Sequence, residues 1–257
     1  MNHRLIEGLC LPFFIVAFWF IGSGLELWNE FIIPSPQKTW QSAQFLLSEG
    51  ILTSHVLVSL YRVFAGFLLA FFLAFPLGIL TGMKPKVLGY LEPILELIRH
   101  IPPLATVPML ILWFGIGETP KLVIIILTTF FPIFLNTLNG VVHCDKKLLE
   151  VGQSFGFNSR DKFMKIILPA SLPNILIGMR IGLGYSWRAL MGAELIAASA
   201  GIGFMINEAT HLSRPDIIIV GILTIGIIGT VSDHLFFRIL HRFVPWKDEK
   251  EVQNGGG

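Results

Sequence analysis

Charged side chains are scarce in this chain, and that scarcity excludes a soluble domain. Asp, Glu, Lys and Arg make up 14% of the 257 residues against 53% hydrophobic, too little polar surface to cover a water-facing fold. The mean hydropathy of +0.71 agrees. The net charge is only +2, and no run of Lys and Arg interleaved with aromatics occupies a polar face, so nucleic acid is excluded as a partner. Cysteine is nearly absent too. Cys10 and Cys144 offer neither a disulfide framework nor a metal spacing, and both read as small packing residues. The seven His are scattered without an H-E-x-x-H pair. No Ser, His and Asp spacing marks a triad, and an intramembrane hydrolase lacks its motifs. Gly115-Ile-Gly117 and Gly201-Ile-Gly203 invite a nucleotide reading, but neither follows a strand or supplies G-x-x-x-x-G-K-[ST]. The chain has no Walker A motif and is not itself an ATPase. After Arg4 and its apolar run no small-residue cleavage site follows, and Leu9 precedes Cys10 where a lipobox wants a small residue, so the run reads as a retained span.

Apolar sequence is what the chain has in quantity. A crossing helix needs about 20 mainly apolar residues, and six segments qualify: 9–28, 56–82, 87–115, 122–142, 172–198 and 216–237. The expected fold is all-α and polytopic, with six transmembrane helices and no soluble domain. An even count puts both termini on one side, and Lys and Arg choose the cytoplasmic side. With the N-terminus inside, the inner segments hold Arg4, Lys84, Lys86, Lys146, Lys147, Arg160, Lys162, Lys165, Arg238, Arg242, Lys247 and Lys250, and the outer ones only Lys38, Lys121 and Arg214. Both termini are therefore expected in the cytoplasm. Arg62, Arg99, Arg180 and Arg188 fall within spans. Arg62 suits the outer interface, and Arg180 suits a snorkelling position near the inner end.

Residues 1–33 form an N-terminal span, 34–246 a core of five spans, and 247–257 a cytoplasmic tail whose Asn254–Gly257 end reads as artificial or disordered. Pro34-Ser-Pro36 and the residues from Thr39 predict a short amphipathic helix on the outer surface. Lys84-Pro85-Lys86 and Gly115 to Pro120 predict tight reversals, and the outer connection from Ser199 to Pro215 has room for a short helix. Gly78-x-x-x-Gly82 and Gly178-x-x-x-Gly182 place paired small residues on helix faces, a packing pattern first and a dimer contact second.

The most informative segment is a polar island, 143–171, between two apolar stretches. Asp145 stands near the start of a predicted short helix through Glu150 to Phe155, where an acidic group favours the positive end. Gly156 supplies the positive φ that ends it. Asn158 or Ser159 then caps a second short helix, with Asp161 in its first turn, running through Phe163 and Ile166 to a stop before Pro169. Leu149, Phe155, Phe157, Phe163 and Ile167 are too many apolar residues for an idle loop and suit a knob for a partner's groove.

The spacing Glu150, five residues, Gly156, nine residues, Ile166-Ile-Leu168-Pro169 resembles the docking ("EAA") loop of ABC importer permeases without insertion. Where that motif has Ala-Ala after Glu, this chain has Val151-Gly152. Leu172 to Ile206, with Arg180, Trp187-Arg188, Ala193-Glu194 and Gly201-Ile-Gly203, looks like the sulfonate, taurine and nitrate branch of these permeases, as does Ile101-Pro102-Pro103 through Pro108 to Trp113 and Glu118. The similarity is collinear from about residue 34 to 246.

The resemblance implies the type I ABC importer permease fold in the bacterial cytoplasmic (inner) membrane. It implies a second copy of the chain, two ABC ATPase subunits and an extracytoplasmic solute-binding protein. ATP and Mg would belong to the partner ATPase, with no cofactor in this chain. Glu150, Gly152, Phe155, Gly156, Phe157, Phe163, Ile166, Leu168 and Pro169 would couple to the ATPase. The expected cargo is a small organic anion, an alkanesulfonate or taurine, with nitrate or a thiamine-precursor pyrimidine as the alternative. A stand-alone secondary transporter or channel is the rival of another class.

Ionisable groups within hydrocarbon usually face a cavity or a partner. Arg99 lies before Pro102 and Pro103, where a helix must break and can line a cavity. With Trp187, Arg188 and Glu194 these form the candidate translocation pathway, Arg99 and Arg188 offering cationic contacts to an anion. The competing expectation is that both arginines pair with Glu96 and Glu194 or snorkel to an interface.

Overall fold

The computed structural model describes residues 2–241, excepting the side chains of 2–9, 197, 240 and 241. The expected tail, 247–257, lies outside the described residues. Among the described residues eleven α-helices follow one another: α1 Asn2–Gly24, α2 Pro36–Ser48, α3 Ile51–Met83, α4 Pro85–His100, α5 Val107–Phe114, α6 Glu118–Val142, α7 Lys146–Ser154, α8 Ser159–Lys162, α9 Leu168–Ala197, α10 Ile202–His211 and α11 Pro215–His241. No strand occurs among the described residues.

Four helical stretches are long and apolar enough to cross a membrane: Ile51–Met83, Glu118–Val142, Ser159–Ile196 and Pro215–Ile239. The expected span 87–115 is instead α4 and a second segment, Pro103–Phe114, bent by 84° at the break. The cause is local. Pro102 and Pro103 donate no N–H, and the residue before a proline is pushed out of the α region. Ile101 is accordingly extended, at ψ 118. Counted as one span, this pair makes a fifth. The apolar part of α1, Cys10–Gly24, is shorter than these. It ends before the expected Trp28, where the chain turns through Glu26 at φ 51 and lays the Trp28 ring beside Gly22 and Phe18.

The chain divides into two compact units. The first takes residues up to Leu60 with Glu194–Ile227. Its amphipathic α2 begins as expected, with Ser35 as N-cap and Pro36 at the first helical position. Ser42 on α2 donates to Asp216 at 2.5 Å, and Arg214 holds the same carboxylate with Nη2 to Oδ2 at 2.6 Å. Trp19 Nε1 donates to the Pro34 carbonyl at 3.0 Å. The expected helix in the outer connection is α10, which lies so close to α11 that a side chain at Gly221 would meet Ile206.

The second unit takes Tyr61–Ala193 and the chain from Ile228. Its centre is α6, with α3 and α9 packed on it through the paired glycines. Gly78 and Gly82 on α3 face Thr137 and Val141, while Gly178 and Gly182 on α9 face Asn136 and Ile133. Both G-x-x-x-G motifs thus pack helices within one chain, letting backbones approach where lipid supplies no hydrophobic drive. Val107, Leu110, Ile124, Ala189 and Ala193 close a buried cluster beside them.

Arg62, Lys121 and Arg180 are each paired with a carboxylate within this unit. Arg62, 1% exposed, donates Nη2 to Glu118 at 2.6 Å. Lys121, expected in an outer loop, is buried and donates to the same Glu118 at 3.0 Å. Arg180 does not snorkel alone. It grips Asp233 with two hydrogen bonds, at 3.0 and 2.8 Å, and lies 4.8 Å from the centre of the Phe237 ring.

Candidate functional site

The loop at 143–171 is built by local capping. Asp145 accepts from the Lys147 N–H at 2.9 Å and starts α7. The end of α7 is a Schellman turn: Gly156 sits at φ 73, its N–H reaches the Gln153 carbonyl at 3.0 Å, and the Phe157 N–H reaches the Gly152 carbonyl at 2.9 Å. Asn158 then accepts from the Asp161 N–H at 2.8 Å and starts α8. Helix, turn and helix are as the sequence predicts, with Asn158 rather than Ser159 as the cap.

The second helix does not stop before Pro169. It continues through a wider π turn, Phe163–Ile167, into α9, so that α8, the π turn and α9 run as one helical stretch, Ser159–Ile196. Pro169 has no N–H for the Lys165 carbonyl and its ring would crowd that group in a regular helix. A π turn carries the chain past it, with the Leu168 N–H bonded five residues back to Phe163. A rigid connection from loop to span is the consequence.

The two arms enclose a dimple of about 410 Å³ lined by Val151, Gly152, Phe155, Phe157, Ile166 and Pro169, among others. Phe155 is 77% exposed. Phe157, Phe163, Ile166 and Leu168 are half-buried, and Gly152 is buried because Ile166 and Phe157 fill the space where a Cβ would be. Lys165 bridges Asp161 at 2.8 Å and lies 4.9 Å above the Phe157 ring, fastening the second arm. Glu150 is exposed, and among the described residues its carboxylate has no hydrogen bond or ion pair. Leu148 and Val151 are exposed beside Phe155 and were missed as knob residues. Their spacing of three and four along α7 is the helical face signal that finds them.

The candidate pathway residues separate. Arg99 and Pro103 line a cavity of about 380 Å³ with Thr128, Pro132 and Asn136 of α6 and Ile181 and Tyr185 of α9. Pro102 is extended at the bend, at ψ 121. Arg99 meets Glu96 at 3.5 Å as expected, through a single contact. The Arg188 guanidinium lies 5.4 Å from the Tyr185 ring centre. Trp187 is buried, and its Nε1 has no partner among the described residues. Glu194, 1% exposed, takes Ser59 Oγ at 2.8 Å and the Gly203 N–H at 2.9 Å. Ile202 N donates to Ser59 Oγ at 2.9 Å, and Gly201 N to His55 Nδ1 at 3.0 Å. These groups satisfy the first amides of α10, which have no partner within their own helix. His55 and Ser59 carried no motif in the sequence.

Several apolar spans, with a capped loop that exposes apolar side chains and runs by continuous helix into one of them, define a multi-pass membrane protein with a surface for a separate subunit. The chain belongs to the family of binding-protein-dependent transport system inner membrane components, which it matches over residues 74–248. It is 38% identical over 247 residues to a protein of Bacillus subtilis (strain 168) named for aliphatic sulfonates transport, a permease, covering 96% of this chain and 89% of that one. It is 35% identical over 240 residues to the taurine transport system permease protein of Escherichia coli (strain K12), covering 91% and 87%. Among solved structures, an inward-facing MetNI methionine ABC transporter matches with a TM-score of 0.61 at 16% identity, over 75% of this chain and 97% of the other, which shows the fold. The chain is a non-catalytic permease subunit of an ABC importer, and it works in a membrane with a separate ATPase and a solute-binding protein.

Proposed function

We propose that the chain carries a small organic anion, an alkanesulfonate or taurine, into the cytoplasm as a homodimer with two ATPase subunits, both termini facing the cytoplasm. The observation that carries this reading is the docking loop, whose α7 holds Glu150 exposed, ends at the exposed Phe155 and packs through Gly152 on Ile166 of the separate Ser159–Ile196 helical stretch, which runs unbroken into a span. Closure of the ATPases on ATP and Mg, both held by the partner, would draw the two loops together. Helix continuity through the π turn would pass that displacement to α9. Support for the solute class comes from the relatives named for aliphatic sulfonates and taurine, from Arg99 at the bend and from Arg188 beside the Tyr185 ring. Support for the orientation comes from the cations gathered at Lys84, Lys86 and the docking loop. Outer segments around Gly115 to Pro120 and Gly201 to Pro215 would meet the binding protein, and Pro102, Pro103, Trp187 and Glu194 complete the proposed pathway or its support.

The test is pull-down of the detergent-solubilised chain with an ATPase and a binding protein encoded beside it, followed by calorimetry of the binding protein against alkanesulfonates, taurine and nitrate. Recruitment of the ATPase and one tight sulfonate ligand are expected. Failure to recruit the ATPase would overturn the proposed docking role of the 143–171 loop.

A further inference from the structure

We propose that the cavity at the α4 bend is a low-affinity site, within the permease itself, for a monoanionic head group attached to a short alkyl chain. The inference rests on the importer reading above and deepens it by choosing alkanesulfonates over taurine.

The cavity lies wholly within the second unit and holds about 380 Å³, room for a small ligand. Three residues with hydrogen-bond donors to spare line it, Arg99, Asn136 and Tyr185, and no carboxylate does. Arg99 is the charged one. Its contact with Glu96 is a single approach at 3.5 Å between two half-exposed side chains, beyond the usual hydrogen-bond range. Arg180 and Arg214 instead each clasp an aspartate at 2.8 Å or less. Arg99 therefore has its fork available for an oxyanion, which matches guanidinium geometry. The Tyr185 hydroxyl has no hydrogen bond among the described residues, and its ring already carries Arg188 on one side. Asn136 Nδ2 donates to the Pro132 carbonyl at 2.8 Å, which uses one of its two N–H groups. Thr128 adds no donor, since its hydroxyl is committed to the Ile124 carbonyl at 2.8 Å.

The remaining wall is hydrocarbon: Leu127, Phe131, Leu135 and Ile181. Arg99 supplies the oxyanion contact and these side chains the hydrocarbon wall that a sulfonate bearing an apolar tail requires. An ammonium group, which taurine carries where an alkanesulfonate has CH₃, would meet no anionic partner in the lining.

The test is equilibrium binding of radiolabelled pentanesulfonate to the full-length chain in zwitterionic lipid nanodiscs, with no binding protein present. Saturable binding is expected, weakening about threefold to fourfold for each methylene removed towards methanesulfonate, with taurine no better than ethanesulfonate. Arg99→Gln should reduce it at least tenfold. Leu135→Trp, which fills the cavity and keeps the arginine, should do the same. Absence of saturable binding at millimolar ligand, affinity independent of chain length, or binding unchanged in both variants overturns the proposal. An anionic phospholipid shares the same chemistry. Displacement of pentanesulfonate by phosphatidylglycerol nanodiscs would give the cavity to lipid and likewise overturn it. Glu150→Lys, outside the cavity, separates the two readings. ATPase recruitment and sulfonate uptake by the wild type without Arg99-dependent binding sinks the cavity and leaves the importer standing. Arg99-dependent binding without ATPase recruitment sinks the importer and supports the cavity.

Discussion

Glu150 and Glu194 each precede a glycine in the left-handed region, Gly156 at φ 73 and Gly201 at φ 116, yet the two regions use the same chemistry in opposite ways. In the docking loop every cap is local: Asp145, Gly156 and Asn158 act on neighbours within three residues. That frees the Glu150 carboxylate and leaves Phe155 uncovered for another molecule. At the start of α10 the caps come from far along the chain, Ser59 lying 135 residues from Glu194. There the carboxylate is buried and committed to this chain's own amides. Local closure makes a surface that a partner can use, and distant closure makes a fixed joint.

Stability is where the contrast is widest. Glu194→Ala leaves the Gly203 N–H and the Ser59 hydroxyl buried without their acceptor, at a cost of about 2–4 kcal/mol. Gly201→Ala should come close to it. The left-handed φ costs an L-residue about 1–2 kcal/mol, and the new Cβ would run into the Glu194 carboxylate. Both should lower the thermal unfolding midpoint of the detergent-solubilised chain followed by tryptophan fluorescence. Midpoints equal to wild type would show that the joint is not fixed.

Glu150→Lys inverts the readout. An exposed side chain without an intramolecular partner should leave the unfolding midpoint unchanged to within about 0.5 kcal/mol while abolishing ATPase co-purification. Gly156→Pro also removes the ATPase, since proline can neither adopt φ 73 nor give the N–H bonded to Gln153. If Glu150→Lys destabilised the chain as much as Glu194→Ala, the distinction between the two carboxylates would collapse.

A smaller effect separates the exposed loop from its root. Cys144, just before the Asp145 cap, is buried, and burial pushes its thiol above the ordinary range, with the nearby Asp145 charge adding to this. The reactive thiolate is therefore depleted at neutral pH. Alkylation of Cys144 in the folded chain should be slower than for a free thiol and should accelerate as pH rises. Labelling at the rate of a free thiol would show that the loop detaches from the end of α6.

What the sequence made legible follows the same divide. The short-range features were readable: the Gly156 turn, the Asn158 cap, α2 behind Ser35, and the break at Pro102-Pro103, because each is decided by residues within a turn of one another. The passage through Pro169 was not. A Leu-Pro pair signals a helix stop, and only the π turn, paid out over Phe163–Ile167, avoids it. Nor were the pairs of Arg62 with Glu118 and Arg180 with Asp233 readable, being 56 and 53 residues apart. No spacing rule reaches that far. The sequence flagged the four intramembrane arginines as costly in hydrocarbon without saying which had found a carboxylate.

The least disruptive change tests how tightly the docking loop is made. The family's loop motif has Ala where this chain has Gly152, and here a Cβ would meet the Ile166 Cδ1 methyl and the edge of Phe157. Neither obstacle is backbone. Cδ1 is the far end of a flexible side chain, and the dimple beside it has open volume into which Ile166 can turn. Alanine also favours the helix over glycine by about 1 kcal/mol, which offsets the adjustment. Gly152→Ala should therefore shift the unfolding midpoint by less than the equivalent of 1 kcal/mol in either direction and leave ATPase recruitment intact. Gly152→Leu, which overfills the dimple, should lose recruitment while Glu194 and the α10 joint remain undisturbed. Loss of the ATPase in Gly152→Ala would mean that the loop is as rigidly determined as the joint, despite being capped only by its neighbours.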